Sequence, residues 1–437
     1  MMREPAFSLL HQPTPSSLKG KKVLVLGLGD TGLSVTRWVE AHGGSVRAAD
    51  TRASPPRKQD YSGELHTGTF EASLLDGVDL VCVSPGLSLE DEVVRRAVAK
   101  GTPVVGDIEL FAWENKTPVL AITGTNGKTT VTALVGHLLR TAGVDCEVAG
   151  NIAPPVLEAA MKRTPAVWVL ELSSYQLETT WSLAPRAATM LNLSEDHLDR
   201  YAGLDDYGTA KARVFQGHGV QVLNRDDPRS LAMALPGRKV VTFGLDAPRG
   251  DDFGVVGGRM MRGGKEILPI AELPVRGMHN VANALAACAL VDVPLNGLKT
   301  FKGLPHRLEL VGTRRGKEWY DDSKGTNVGA TVAALRGLGK QVVLILGGEG
   351  KGQDFTPLRE PVKQFAKHVL LIGRDAPLIG KAVGGERCAS LEEAVHKASR
   401  LQAEAVLLSP ACASFDMFRD YKHRGDAFAA AVKALPA

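Results

Sequence analysis

Aromatic residues and long apolar runs are both scarce in this chain of 437 residues, of which only 5% are Phe, Trp or Tyr. No stretch approaches the roughly 18 consecutive apolar residues that a membrane-spanning helix needs, so we expect no membrane insertion. The first 20 residues contain three prolines and no apolar core, so we do not expect them to be a secretory signal. We interpret them as a loose leader.

Cysteine and net charge are low as well. The five cysteines are odd in number, far apart and without a CxxC spacing, which excludes a zinc ribbon and a disulfide scaffold. This usage indicates a reducing compartment, and we expect the cytoplasm. Lysine and arginine exceed aspartate and glutamate by only four, 52 against 48, and no local basic cluster is present. We therefore expect no nucleic-acid partner.

Glycine is abundant, at 47 residues, while hydrophobic and charged residues make up 44% and 23% of the chain. This mixture is typical of an α/β enzyme with a large core and many tight turns. At about 150 residues per domain, the length suggests three domains. We predict an α/β fold in which each domain surrounds a mainly parallel sheet. The domains are Rossmann-like at residues 1–106, P-loop ATPase-like at 107–303 and Rossmann-like at 304–437.

Short apolar and β-branched runs, alternating with helical patterns, predict the strands of these sheets. The predicted strands are 23–26, 46–49, 80–83, 119–123, 167–170, 187–191, 319–320, 341–346, 369–372 and 405–408. A helix is predicted near 281–291, and surface hairpins in the glycine-rich stretch 244–264. Ligands bind at the carboxyl ends of parallel strands, and the unusual residues of all three domains follow strand ends.

The strongest local motif lies between the strand at 119–123 and an amphipathic helix. It reads Gly124-Thr125-Asn126-Gly127-Lys128-Thr129-Thr130. Glycines allow backbone N–H groups to converge on phosphate oxygens, and a helix N-terminus adds positive charge. Lys128 suits the β- and γ-phosphates and Thr129 suits Mg²⁺, although Ile122 stands where the full Walker pattern has glycine. The motif favours a nucleoside triphosphate site over the alternative, a threonine-capped glycine turn.

Three further side chains are candidates for the same site. Glu171 directly follows the strand at 167–170, where a carboxylate suits an ATP-bound Mg²⁺; the alternative is an ordinary helix-start carboxylate. His197 lies in a polar loop after the strand at 187–191, where the alternative is a surface histidine. Lys211 lies on a predicted helix, and its position alone does not distinguish a site residue from a solvated lysine.

The N-terminal domain carries a GxGxxG turn at Gly27, Gly29 and Gly32, between a strand and a helix. Asp50 stands at the end of the next strand, which is the context of a diphosphate-binding turn. The run Asp50-Thr51-Arg52 suits a uridine or another ribose-bearing group as well as NAD.

In the third domain, Arg307 follows a proline near a predicted domain seam. It suits a γ-phosphate, with an ordinary ion pair as the alternative. Cationic and hydroxyl side chains at the strand ends favour a small anionic substrate. They are Lys324, Thr326, Lys351 and Ser414.

Together these segments resemble the Mur ligase family, whose members form amide bonds with ATP in bacterial peptidoglycan synthesis. The likeness covers nearly all of the chain from about residue 21. It is carried by residues 123–130, 171–174 and 305–307, by His279 with Asn280 and Asn283, and by residues 322–327 and 409–416. The last two segments, with the compact turn at 27–32, resemble the member that adds D-glutamate to UDP-N-acetylmuramoyl-L-alanine.

The resemblance implies a reaction in two stages. The substrate carboxylate attacks the γ-phosphate of ATP, which gives an acyl phosphate and ADP, and the amine of D-glutamate then displaces phosphate. ATP is the co-substrate, two Mg²⁺ ions are the cofactors, and the expected state is a monomer.

The resemblance also implies roles for individual residues. The UDP-substrate contacts are Gly29, Asp30, Thr31, Gly32, Asp50, Thr51, Arg52, Ser84, Gly86, Asn151 and His197. The ATP contacts are residues 124–130, Asn280, Asn283, Arg307, Asp322 and Lys324. The amino-acid contacts are His306, Thr326, Lys351, Ser414, Phe415 and Tyr421. The metal ligands are Thr129, Glu171, His197 and a carbamylated Lys211. The catalytic residues are Lys128, Glu171, His197, Lys211 and Arg307.

Three positions depart from the family pattern. Glu349 stands where aspartate is expected, Tyr421 where phenylalanine is expected and Gly325 where alanine is usual. The alternatives to this function are another amino-acid ligase of the same scaffold, an NAD-dependent dehydrogenase and a nucleotide-binding regulatory module.

Overall fold

A computed structural model describes residues 6–197 and 200–436 of the chain. It has a mixed α/β fold with three sheets that are mainly parallel, so the predicted fold class is confirmed. The chain divides into two compact units. The first unit comprises Met1–Leu193, Arg200–Phe243 and Ala286–Leu295, and the second comprises Ser194–Asp199, Gly244–Leu285 and Asn296–Ala437.

The first sheet lies in the first unit and is entirely parallel, in the order β3-β2-β1-β4-β5. Its strands are β1 (Lys22–Leu26), β2 (Ser45–Asp50), β3 (Glu64–Thr67), β4 (Leu80–Val83) and β5 (Val104–Val105). Its helices are α1 (Asp30–Ala41), α2 (Glu92–Ala99) and α3 (Asp107–Glu114). The predicted strands correspond to β1, β2 and β4. The mostly exposed β3 and the two-residue β5 lack the apolar run on which the prediction relied.

The second parallel sheet of the first unit has the order β11-β10-β9-β6-β8-β7. Its strands are β6 (Val119–Thr123), β7 (Cys146–Gly150), β8 (Val167–Glu171), β9 (Ala187–Met190), β10 (Val220–Asn224) and β11 (Val240–Phe243). Its helices are α4 (Lys128–Thr141), α5 (Val156–Lys162), α6 (Ser174–Glu178), α7 (Leu204–Ala212) and α8 (Pro228–Leu231). All five residues of β6 are buried, as expected for a central strand covered on both faces.

The prediction of a loose leader is wrong for residues 6–20, while residues 1–5 lie outside the described part. A short 3₁₀ helix spans Ala6–Leu9, and the side chains of Phe7, Leu10 and Leu18 are buried in the core of the first unit. The guanidinium of Arg213 lies 5.8 Å from the Phe7 ring centroid. These apolar residues are spaced among prolines, so they form no periodic pattern, yet each one covers apolar surface.

The second unit contains an antiparallel ribbon and the third sheet. The ribbon strands are β12 (Phe253–Val256), β13 (Arg259–Arg262) and β14 (Lys265–Pro269), which matches the predicted hairpins. Helix α9 (Met278–Leu290) begins in this unit.

The third sheet has the order β15-β16-β20-β17-β18-β19, parallel except for the β15–β16 hairpin. Its strands are β15 (Glu309–Arg314), β16 (Lys317–Asp321), β17 (Val342–Gly347), β18 (Ala366–Ile372), β19 (Glu386–Arg387) and β20 (Ala405–Leu408). Its helices are α10 (Val328–Leu338), α11 (Arg359–Phe365), α12 (Ala376–Val383), α13 (Leu391–Arg400) and α14 (Tyr421–Lys433).

Within the described ranges, no helix combines the length and the apolar character needed to cross a bilayer. All five cysteines are buried free thiols.

Candidate active site

The phosphate-loop motif forms a tight turn between β6 and α4. Gly124 (φ +149°) and Gly127 (φ +85°) adopt the left-handed backbone region that glycine tolerates. A Cβ atom on Gly124 would lie 2.9 Å from the Cβ of Leu191, so this position needs glycine for space as well. Helix α4 begins at Lys128, and the positive end of its dipole therefore faces the loop.

Two side chains organise the loop from inside the first unit. Lys128 Nζ donates hydrogen bonds of 2.8 Å to the carbonyls of Gly124 and Thr125, so the ammonium lies over the loop. Asn192 brackets the loop from the end of β9. Its Nδ2 donates to the carbonyl of Asn126 at 3.1 Å, and its Oδ1 accepts from the Asn126 N–H at 2.9 Å. Sequence reasoning missed Asn192, whose only signal is its place directly after a strand.

Glu171 ends β8 and is 2% exposed. Its Oε1 accepts a 2.8 Å hydrogen bond from Asn151 Nδ2, and the Asn151 N–H donates to the Glu171 carbonyl at 2.8 Å. Its Oε2 is buried and has no hydrogen-bond partner among the described residues. The adjacent Gly150 (φ +111°) allows this approach, because a Cβ there would lie 2.3 Å from the Glu171 carbonyl oxygen.

Lys211 lies on α7 and is 1% exposed, which is uncommon for lysine. Its Nζ lies 3.5 Å from Thr123 Oγ1, at the end of β6, and 4.6 Å from the Tyr207 ring centroid. The structure therefore places Lys211 beside the strand that leads into the phosphate loop, and excludes the alternative of a solvated lysine.

The predicted metal ligands are divided between the two units. Thr129, Glu171 and Lys211 belong to the first unit, whereas His197 belongs to the second. His197 has a left-handed backbone (φ +57°), and its Nε2 lies 3.9 Å from Asp196 Oδ2.

A cavity of about 540 Å³ opens at the carboxyl ends of β1, β2 and β4. Ten of the eleven residues predicted to contact the UDP substrate line it, and His197 is the exception. The ten residues are grouped by strand. Gly29, Asp30, Thr31 and Gly32 come after β1, and Asp50, Thr51 and Arg52 lie at the end of β2 or after it. Ser84 and Gly86 follow β4, and Asn151 follows β7. Gln176, which sequence reasoning did not single out, also lines the cavity.

Asp50 orients the side chain of Arg52, a cation that lines this cavity. Its Oδ1 accepts from Arg52 Nε at 2.8 Å, and its Oδ2 accepts from Arg52 Nη2 and from the Leu28 N–H at 2.7 Å each. Burial alone raises the pKa of Asp50, but the hydrogen bonds from Arg52 and Leu28 outweigh it and lower the pKa to about 2. The guanidinium of Arg52 is thereby fixed while about half of its side chain stays exposed.

In the second unit, two aspartates mark the end of β16. Asp321 Oδ2 lies 2.7 Å from His306 Nδ1. Asp322 accepts hydrogen bonds from Ser409 Oγ at 2.7 Å and from the Leu308 N–H at 3.2 Å. Burial raises the pKa of Asp322 to about 7, although the Ser409 hydrogen bond and the charge of Arg307 act in the opposite direction.

Three predicted site residues of the second unit, Lys324, His306 and Tyr421, lie together around the tyrosine ring. Lys324 Nζ lies 4.2 Å from the Tyr421 ring centroid, a cation–π distance. The ring of His306 lies edge-on to the same tyrosine, with centroids 6.3 Å apart. The Thr326 N–H donates to the Lys324 carbonyl at 2.8 Å, which tightens the loop after β16.

The loops after β17 and β20 carry the remaining amino-acid contacts. Glu349 and Ala413 exchange two backbone hydrogen bonds of 2.9 Å, which joins the two loops. On these loops Lys351 has a left-handed backbone (φ +52°), Ser414 is 2% exposed and Phe415 is 65% exposed.

Arg424, on α14, was not predicted from the sequence, yet it is the buried centre of these loops at 1% exposure. Its guanidinium donates to the Ser323 carbonyl at 2.8 Å, to Ser323 Oγ at 2.9 Å and to the Cys412 carbonyl at 3.0 Å. Longer contacts reach the carbonyls of Gly347 and Ala413. Burial lowers the pKa of Arg424 to about 10, so it stays a cation at neutral pH.

A second cavity, of about 830 Å³, lies within the second unit and is lined by Asn280 and Arg307 among the predicted ATP contacts. Asn280 Nδ2 donates to the Arg276 carbonyl at 2.7 Å, and Asn283 Nδ2 donates to Asn280 Oδ1 at 3.2 Å. The two amides therefore form one hydrogen-bonded pair on α9.

Three family models match the chain. They are described as "Mur ligase MurD-like, N-terminal domain" at residues 21–106, "Mur ligase middle domain" at 122–291 and "Mur ligase, glutamate ligase domain" at 306–412. Together the matches cover well over half of the chain.

Among curated proteins, the UDP-N-acetylmuramoylalanine–D-glutamate ligase of Thiobacillus denitrificans is 52% identical over 96% of this chain and 98% of its own length. Among solved structures, the UDP-N-acetylmuramate–alanine ligase MurC of Thermotoga maritima is 20% identical with a TM-score of 0.60, over 95% and 99% of the two chains. A folylpolyglutamate synthase/dihydrofolate synthase of Yersinia pestis, solved with AMPPNP and Mn, is 17% identical with a TM-score of 0.53, over 72% and 88%. The two solved structures share the fold.

Proposed function

Because the chain belongs to the Mur ligase family, we propose that it adds D-glutamate to UDP-N-acetylmuramoyl-L-alanine while ATP is converted to ADP and phosphate. It is an ATP-dependent ligase of peptidoglycan precursor synthesis. The observation that carries this conclusion is the 52% identity to a D-glutamate ligase over 96% of the chain.

The reaction solves a chemical problem of its substrate. A carboxylate is a poor electrophile, so the alanyl carboxylate first attacks the γ-phosphorus of ATP and ADP leaves. The amine of D-glutamate then attacks the acyl carbon, the C–O bond to phosphate breaks, and the amine loses a proton. The reacting carboxylate and the phosphates are all anionic, so cations are needed to offset their repulsion. Lys128 and Arg307 are the cations that we assign to this task.

The UDP moiety occupies the 540 Å³ cavity of the first unit in this proposal. Glycine-built turns after β1 and β4 suit a diphosphate, and Arg52, held by Asp50, supplies a fixed cation. Asn151 lines the cavity and also donates to Glu171, so it links the UDP-substrate site to the proposed magnesium ligand.

Glu171 fits a magnesium ligand. Its Oε2 is buried without a hydrogen-bond partner in the described residues, and carboxylate oxygen is a preferred Mg²⁺ ligand. Within the first unit, Thr129, Glu171 and Lys211 are the residues that would hold the metal, and a ligand role for His197 stays a prediction of the resemblance. Bound magnesium supplies positive charge to the phosphate oxygens during transfer. The chain's own part is to orient Glu171, which the Asn151 hydrogen bond does.

Lys211 is proposed to act as a carbamate, because a buried lysine beside the phosphate loop would otherwise add a cation next to a metal. Carbamylation gives a carboxylate-like ligand at this position. We expect Lys211→Ala to lose nearly all turnover and to recover part of it with short carboxylic acids, measured by phosphate release. Lys381→Ala serves as the control. Absence of any recovery contradicts the carbamate.

The D-glutamate pocket is assigned to His306, Thr326, Lys351, Ser414, Phe415 and Tyr421. His306 and Tyr421 meet beside Lys324, and Thr326 follows β16. The other three, Lys351, Ser414 and Phe415, lie on the joined loops after β17 and β20. A cationic, hydroxyl-rich pocket suits a substrate with two carboxylates.

The decisive experiment incubates the protein with UDP-N-acetylmuramoyl-L-alanine, ATP and a panel of amino acids, with the products read by mass spectrometry. We expect a product with D-glutamate only, and ADP in equal amount. Product with L-alanine or a diamino acid instead would overturn the assignment, and ATP binding without turnover would favour a regulatory module.

We propose further that the enzyme works as a cytoplasmic monomer with two Mg²⁺ ions. The five buried free thiols support a reducing compartment. Light scattering tests whether the enzyme is a monomer. Turnover measured against magnesium concentration tests the number of ions.

A further inference from the structure

The turn at residues 84–87 forms one wall of the UDP-substrate cavity. Ser84 Oγ donates a 2.9 Å hydrogen bond to the carbonyl of Gly27, which ties this turn to the glycine turn after β1. A Cβ on Gly27 would come within 2.9 Å of the Ser84 Cβ, so the two turns pack without spare room. Displacement of either turn therefore changes the shape of the cavity.

Arg200 holds the far end of this turn. Its Nη1 donates to the carbonyl of Leu87 at 2.6 Å and lies 3.4 Å from the carbonyl of Pro85. Arg200 itself does not line the cavity, and its side chain is 14% exposed.

The other side of the same guanidinium is fixed to α6. Arg200 Nη2 forms a 2.5 Å ion pair with Glu178, whose side chain is only 4% exposed. The guanidinium also lies over the Tyr175 ring, 4.3 Å from its centroid. Arginine suits this place because its planar fork bonds two partners in fixed directions, whereas lysine is a single point charge.

Helix α6 connects Arg200 to the rest of the active site. It begins three residues after Glu171, and its Gln176 lines the UDP-substrate cavity. One guanidinium thus links the turn at 84–87 to the helix that follows the proposed magnesium ligand.

We infer that Arg200 is a positioning residue for the UDP substrate: it clamps the turn at 84–87 against α6 and thereby sets the width of the cavity. The inference rests on the proposed function, because it takes the cavity as the UDP-substrate site. A buried charge-assisted contact to two carbonyls contributes strongly to order, so its loss loosens the turn without touching the phosphate loop.

The test measures KM for each substrate in Arg200→Gln and Arg200→Lys. We expect KM for UDP-N-acetylmuramoyl-L-alanine to rise about tenfold in Arg200→Gln, while KM for ATP and for D-glutamate stays within about twofold. Arg200→Lys should recover part of the loss. Glu178→Gln leaves Arg200 in place but removes its anchor, and should raise the same KM by a smaller factor.

Arg213 provides the matched control. It is another arginine of the first unit that binds α6, through the carbonyls of Leu177 at 2.7 Å and Thr180 at 2.6 Å, but it makes no contact with the turn at 84–87 in the structure. Arg213→Lys should lower Tm and leave KM for the UDP substrate unchanged.

The outcomes distinguish a failure of the role of Arg200 from a failure of the proposed function. An unchanged KM for the UDP substrate in all three variants, or an equal rise in all three KM values, overturns the role of Arg200. A native enzyme that forms no D-glutamate product overturns the proposed function instead. A KM rise in Arg213→Lys as large as in Arg200→Gln would show general loosening of α6 and would also overturn the specific role.

Discussion

The two units build their sites by different means. In the first unit, the phosphate loop and the UDP-substrate turns rely on glycine backbone, and charged groups meet at the surface of a cavity, as Asp50 and Arg52 do. In the second unit, three loops are joined by buried side chains, with Arg424 at their centre. In the first unit each turn is itself a short run of consecutive residues, whereas the second site depends on contacts between residues about 100 positions apart.

The two strand-end aspartates show the same contrast. Asp50 faces a guanidinium and backbone N–H groups, and its pKa falls to about 2. Asp322 bonds to the neutral hydroxyl of Ser409, and burial raises its pKa to about 7 although the charge of Arg307 also opposes the shift. A charged donor offsets desolvation, whereas a neutral donor does so only in part.

The largest effect is expected in the first unit. Lys128→Ala removes the cation over the phosphate loop, and we expect kcat/KM to fall about 10³-fold. Circular dichroism should show an unchanged fold, since the glycines that shape the loop remain. The control is Lys363→Ala, an exposed lysine of α11. Turnover near the native rate would exclude the loop as the triphosphate site.

Arg424→Gln is the corresponding test of the second unit. It removes the guanidinium donors of the Ser323 and Cys412 carbonyls, and we expect the free energy of unfolding to fall by about 3 kcal/mol. KM for D-glutamate should rise as well, because Ser414 lies on one of the loops that Arg424 joins. Urea unfolding and steady-state kinetics measure the two effects. Equal loss of stability with an unchanged KM would mean that the loops keep their shape without the guanidinium.

The two aspartates should have opposite pH dependence. Asp50 has a lowered folded pKa, so it stabilises the fold above its unfolded value and the contribution is lost as pH falls from about 4 to 2. Asp50→Asn should therefore reduce stability at pH 7 by about 2 kcal/mol and less in acid. Asp322 has a raised folded pKa, so its penalty appears as pH rises from about 4 to 7. Asp322→Asn should gain stability relative to the native chain over that interval.

Thermal unfolding from pH 3 to 8 measures both slopes. Slopes of the same sign in the two variants would contradict the contrast between the two sites.

The smallest effect is expected from Asn192→Ala, which removes both side-chain hydrogen bonds with Asn126 but keeps the bond that the Thr125 N–H donates to the Asn192 carbonyl. KM for ATP should rise about three- to tenfold with kcat nearly constant. Asn224→Ala, which loses a side-chain bond to the Leu191 carbonyl instead, is the comparison variant. An equal change in both variants would assign the effect to the end of β9 rather than to the loop.

The contrast between local turns and long-range contacts also explains which features the sequence could predict. The strands β1, β6, β8 and β20 are short apolar runs, and the predicted site residues end or follow these strands. The run from Gly124 to Thr130 was readable because a phosphate loop needs a fixed local order of residue types. Ten of the residues predicted to contact the UDP substrate line one cavity, because most of them also belong to short runs at the ends of parallel strands.

What escaped prediction depends on tertiary contacts. Arg424 is an ordinary helical arginine in the sequence, and only the packing of α14 brings it to Ser323. Phe7 and Leu18 stand in a proline-rich stretch without periodicity, so their burial could not be inferred locally. The edge strand β3 has no apolar run because three of its four residues are exposed to solvent.

The buried thiols have a practical consequence. Burial raises the pKa of Cys82 in the first unit, and that of Cys412 in the second to about 12, so neither is a reactive thiolate in the native fold. A brief pulse of an alkylating reagent would modify only molecules that have opened. Mapping the tagged peptides would then reveal which half of the enzyme melts first, with no dye or engineered label.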